Sequence, residues 1–139
     1  MSDAVLNKAQ IIERALARVN VTYIAHTATL DDNLDAQDVI ILNLQRVCEA
    51  SIDLAMHLVR IKGIELPKES RDAFSLLAQN KIITDEMAER LKRMVSFRNI
   101  AVQDYRALDW TIARAIVGKD ILDVAEFSRQ MVTEYGTIE

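Results

Sequence analysis

Glycine and proline are nearly missing from this chain, at three and one among 139 residues. Hairpins and tight β-turns depend on the special backbone angles these residues supply, so their shortage argues against a sheet-rich fold. Cysteine occurs once, at Cys48, which excludes a disulfide framework and any cysteine-based metal site. No stretch reaches the about 18 uncharged apolar residues that a spanning helix needs, and MSDAVLNKAQ at the start has neither the basic nor the apolar part of a secretory signal. The expectation is a cytoplasmic protein that does not enter a membrane. A surplus of positive charge is lacking too: the formal charge is -4. That balance argues against a surface that binds nucleic acid everywhere, because non-specific affinity grows with the number of neutralised phosphates.

What is present is apolar residues, 50% of the chain, arranged at helical spacing. A length of 139 residues suits one domain, residues 1–139, burying roughly two thirds of its unfolded surface without a staple. A first helix is predicted from about Asp3 to Ala25, with Val5, Ile11, Ile12, Ala15, Leu16, Val19 and Ile24 as its apolar stripe. Asp35 is a plausible N-cap for a second helix, from Ala36 to about Lys62. Its residues Ile40, Ile41, Leu44, Val47, Cys48, Ile52, Leu54, Ala55, Leu58, Val59 and Ile61 cover more than one stripe, so it needs cover on two sides. That cover is either another helix of the same chain or a partner subunit; a two-fold symmetric partner is the commonest solution, and a homodimer is expected.

Gly63 and Pro67 bracket a break, after which Ser70 can cap a short helix carrying Phe74, Leu77 and Ala78. Thr84 starts a further helix with carboxylates in its first turn, where the macrodipole favours them, and with Met87, Leu91, Met94, Val95 and Phe97 or Ile100 as its buried face. The chain is expected to loosen around Val102 to Leu108. A last helix, from about Asp109 to Glu134, is predicted to bury Ile112, Ile116, Ile121, Val124, Phe127 and Met131, with Gly118 as a weak point. The fold class is all-α: an up-and-down bundle of four main helices plus a short one.

The scan for chemistry is nearly empty. There is no glycine-rich phosphate loop, no HExxH and no GxSxG, so neither a metal nor a cofactor is expected. Cys48, among apolar neighbours, reads as core in preference to nucleophile. His26 in a loop and His57 on the second helix have no partner at ligand spacing. The segment from Lys81 to Arg114 carries seven basic residues, Lys81, Arg90, Lys92, Arg93, Arg98, Arg106 and Arg114, against Asp85, Glu86, Glu89, Asp104 and Asp109. That bias is mild. The exception is SFRNIAVQDYRALDW, which clusters Arg98, Asn99, Gln103, Asp104 and Tyr105 at a helix end. Were the helix to continue, Arg98 and Tyr105 would share a face two turns apart, with Gln103 somewhat off it. A salt-bridged Arg98, a solvated Gln103 and a half-buried Tyr105 would equally account for those residues.

Arg98-Asn99, three residues, Gln103, one residue, Tyr105 resembles the Arg-Asn, three residues, His, one residue, Tyr motif of the HepT-type toxins of the HEPN ribonuclease superfamily. VIILNLQRVCEASIDLA and SRDAFSLLAQNKIIT resemble the corresponding parts of those proteins, so the likeness extends over most of the chain. The resemblance implies a type II toxin-antitoxin toxin: a helical dimer whose two motifs face one cleft and cut RNA without a metal ion. It implies an antitoxin partner, a minimal nucleotidyltransferase of the MntA type that transfers AMP to the motif tyrosine, here Tyr105. Larger assemblies with that antitoxin would also fit. Arg98 would then hold the scissile phosphate, and Asn99 would support the helix end or a phosphate oxygen.

The chemistry suits those roles. Arginine offers a planar, permanently charged fork to a phosphate, and an imidazole titrates where it can move a proton. Gln103 is the departure. A carboxamide orients a phosphate but has no protonation change near neutral pH, so it cannot act as general acid or base. Losing that help typically costs about 10² to 10⁴ in rate, and the chain as written is expected to be impaired. Two origins fit, a natural variant that has lost cleavage and a deliberate His-to-Gln change made so that a toxin could be expressed; the otherwise intact motif favours the second. The alternative function is a non-catalytic helical dimer that serves as binding partner of a nucleotidyltransferase. Gln45, Arg46, Glu49 and Asp53 on the second helix are given no catalytic role.

Overall fold

The computed structural model describes residues 3–104 and 110–136, and among them every regular element is helical. Helix α1 spans Asp3–His26 and α2 spans Leu34–Ile61. The two pack along their lengths across a seven-residue loop, which makes them an antiparallel pair. A short α3, Asp72–Gln79, leads into α4, Asp85–Asp104. After the gap come α5, Trp110–Ala115, a π-helical turn over Ile116–Asp120, and α6, Ile121–Tyr135. The last three form one helical run, so the bundle has four main helices and a short one, as expected. The buried apolar residues of all these elements join in one cluster, with Phe74 of α3 meeting Phe127 of α6 edge to face at 6.0 Å.

Helix α2 is the central element. Its buried positions run through Ala36, Ile40, Leu44, Val47, Cys48, Leu54, Ala55 and Leu58, and also through Asn43, Ala50 and Ser51 on other sides. Helices α1, α3, α4 and α6 of the same chain all pack on it. Of the two sources of cover for the second face, the structure shows helices of the same chain, and α2's apolarity is no argument for a dimer. What α2 leaves exposed is a mostly polar strip that includes Leu42, Arg46, Glu49 and Asp53.

Several local expectations are corrected. The N-cap of α2 is Asn33 and not Asp35: its Oδ1 accepts from the Ala36 amide at 3.0 Å. No side chain caps α3; in its first turn the amides of Asp72, Ala73 and Phe74 donate to the carbonyls of Glu69, Ser70 and Arg71. Thr84 does cap α4, its hydroxyl accepting from the Met87 amide at 3.0 Å. Helix α4 stays helical through Val102 to Asp104, and the rest of the stretch expected to loosen, Tyr105 to Leu108, lies outside the described residues. The last helix is broken by the π turn around Gly118. Of the predicted core, Ile11, Ile24 and Ile61 are exposed, at 42%, 75% and 48%, and of the two candidates on α4 Phe97 is buried and Ile100 exposed. The side chains of Ile112 and Ile116 lie outside the described residues.

Candidate functional site

The first part of the segment singled out by the sequence, Ser96 to Asp104, lies on the second half of α4, which presses its Leu91, Met94, Val95 and Phe97 into the core. Phe97 fixes the rotation of the helix, and that rotation turns the next residue, Arg98, towards α2. There the Arg98 guanidinium pairs with Glu49, Nη1 donating to Oε1. The Arg98 side chain is 17% exposed, that of Glu49 58%. The Nε of Arg98 is buried without a hydrogen-bond partner.

Beside Glu49, Cys48 is buried, and its thiol donates to the Met94 carbonyl at 3.4 Å. Burial pushes this thiol up from 9.0 to about 12, opposed in part by the nearby Arg98 charge. It is a neutral packing group at ordinary pH and no nucleophile. Asn99 is exposed. Gln103 sits in the last turn of α4, five residues beyond Arg98, which on a helix is about 7.5 Å along and roughly 140° around the axis. The Gln103 side chain, and all of Tyr105 and Arg106, lie outside the described residues.

Glu49 is the residue that sequence reasoning left without a role. It stands 49 positions from Arg98, and no helical period connects them. The basic bias of the segment proves to be largely neutralised as well. Arg90 pairs with Asp123 at 3.1 Å, Lys92 with Glu89 at 2.9 Å, Arg93 with Asp120 at 3.5 Å and Arg114 with Asp31 at 3.1 Å. The pairs to Asp120 and Asp123 tie α4 to the last helical run, and the Arg114 pair ties α5 to the α1–α2 loop. His26 ends α1 within 3.4 Å of Asn33, and burial lowers the pKa of half-buried His57. Neither touches the Arg98 pair. Among the described residues no group of His, Cys, Asp and Glu stands where it could hold a metal ion, and no helix is long and apolar enough to cross a membrane.

The family profile described as Ribonuclease HepT-like matches residues 4–131, nearly the whole chain. The chain belongs to the HepT-like family. This HepT-like chain is 41% identical over 127 residues to the mRNA nuclease HepT of Shewanella oneidensis, covering 91% of itself and 95% of that protein. It is also similar to a solved structure of the tri-AMPylated Shewanella oneidensis HEPN toxin in complex with MNT antitoxin. There the identity is 39%, the TM-score 0.90, and the match covers 96% of this chain and 99% of that one. A toxin-antitoxin crystal structure with AMP-PNP matches with a TM-score of 0.90 and 38% identity, over 94% of this HepT-like chain and 98% of the other.

Proposed function

We propose that this chain is the toxin of a type II toxin-antitoxin system, a single-domain metal-independent endoribonuclease, carried here in a form disarmed at position 103. The observation that carries the reading is the 41% identity, over nearly full length, to a protein named as an mRNA nuclease. The placement of Arg98 supports it: a permanently charged fork held where α4 meets α2, partly exposed, is suited to a phosphodiester. In this reading Arg98 grips the scissile phosphate and Asn99, exposed one residue on, steadies the helix end or a phosphate oxygen. Gln103 occupies the place of a proton-shuttling histidine and cannot fill it. Tyr105 receives AMP from a nucleotidyltransferase antitoxin. Bulk and negative charge added there block the approach of an RNA phosphate by occlusion and repulsion.

The proposal includes a homodimer, resting on the family resemblance, and a cytoplasmic site of action, where RNA and antitoxin are both within reach. The test is made in cells. Gln103→His expressed from an inducible promoter should arrest growth, Arg98→Ala on that background should restore it, and co-expression of the neighbouring nucleotidyltransferase should do likewise while adding AMP to Tyr105. A harmless Gln103→His protein would sink the catalytic assignment. If such a protein still bound the nucleotidyltransferase tightly, the chain would be a non-catalytic binding partner.

A further inference from the structure

The Arg98–Glu49 pair is lopsided. The guanidinium is enclosed where α2 meets α4, beside Cys48 and Met94, with 17% of its side chain exposed, while the carboxylate at 58% stands on the solvent side. An anion approaching Arg98 from water meets Glu49 first. The pair is also incomplete. A guanidinium can give two parallel hydrogen bonds to one oxyanion, through Nη1 and Nη2 or through Nε and Nη2, yet here Nη1 donates to Glu49 and Nε, buried, has no partner. A phosphate that took two donors of one fork would satisfy the guanidinium better than the carboxylate does.

Glu49 has somewhere to go. Arg46 lies three residues earlier on the same exposed strip of α2, at a spacing that brings i and i+3 side chains together. Both line a groove of about 300 Å³ between α1 and α2, with Lys8, Gln45 and Asp53. Lys8 is held by Asp53 at 3.3 Å, whereas Arg46 makes a single long contact, 3.4 Å, to Asn43.

We propose that Glu49 is a displaceable stand-in for the substrate phosphate: it neutralises Arg98 while the cleft is empty and, when an RNA phosphodiester arrives, yields the fork and passes to Arg46. This rests on the reading of Arg98 as a phosphate-binding group. It gives the site a threshold, since RNA must outcompete a tethered carboxylate and weak random encounters do not.

The experiment uses the full chain as given, so that binding is read without cleavage. A fluorescent single-stranded RNA oligonucleotide is titrated in EDTA with the unsubstituted protein, Glu49→Gln, Arg98→Ala and the double variant, each checked for fold by circular dichroism. Because the pair is partly exposed, Glu49→Gln should bind about two- to fivefold more tightly at low ionic strength. The gain should fade in high salt and be absent on the Arg98→Ala background. Equal or weaker binding by Glu49→Gln would overturn the proposal and make Glu49 a residue that merely orients Arg98. A gain that persists without Arg98 would overturn it too. If no variant binds RNA, the nuclease reading fails, and inorganic phosphate followed through the Arg98 Nε–H NMR signal still decides the gate. Saturation at lower phosphate in Glu49→Gln supports it, and equal saturation refutes it.

Discussion

Cys48 illustrates what a residue's neighbours decide. Its apolar setting was legible from VIILNLQRVCEASIDLA, and the reading as core holds, with 2% of the residue exposed. The buried thiol's pKa is raised from 9.0 to about 12. A group whose folded pKa lies above its unfolded one binds its proton more firmly in the native state, so the stability it contributes is complete below pH 9 and is lost as pH rises towards 12. Denaturant midpoints measured from pH 8.5 upward should fall more steeply for the unsubstituted protein than for Cys48→Ala; parallel curves would show that the thiol does not ionise on unfolding. Arg98 was equally legible as a residue, because its motif is local. Glu49 was not, because a contact between two helices whose ends stand 49 positions apart is a product of packing and leaves no mark on spacing.

At the scale of elements, hydrophobic periodicity located all the helices and misjudged some of their faces. Ile11 and Ile24 obey the α1 stripe only loosely, and the helix rotates to bury Ile12, Leu16 and Val19 instead. The caps depended on finer detail. Asn33 and Asp35 both have capping side chains, and the loop settles the choice: Gln37 Nε2 donates to the carbonyls of Leu30 at 2.8 Å and Asp31 at 3.0 Å, pulling the loop in so that Asn33 meets the Ala36 amide. Asn33→Ala should therefore cost about 1 kcal/mol of stability and Asp35→Ala a few tenths at most, checked by chemical denaturation. The reverse order would restore Asp35 as the cap. The end of α3 carries a similar lesson. Lys81 sits at φ 60°, where glycine is usual, while α2 ends on Gly63 at 67°. The same closing geometry serves both, Ile82 to Leu77 and Ile64 to Val59, but a lysine gives no signal of it in sequence. The π turn at Ile116–Asp120 was foreshadowed only by Gly118.

For the whole molecule, the all-helical bundle followed from scarce glycine and proline and abundant apolar periodicity, and the family from the motif together with its flanking helices. The apolarity of α2 does not call for a dimer, because four helices of the same chain cover it. The dimer now rests on kinship, and sedimentation equilibrium should give twice the mass of one 15.7 kDa chain; a monomer across the micromolar range would contradict it. The catalytic account reduces to a single contrast between a side chain that titrates near neutral pH and one that does not. RNA cleavage in EDTA, by the chain as it stands, by Gln103→His and by Gln103→His with Arg98→Ala, tests it most directly. Cleavage confined to Gln103→His, faster than the chain as it stands by about 10² or more, is the result predicted. Equal cleavage by the unsubstituted chain and by Gln103→His, or none by any of the three, would contradict it.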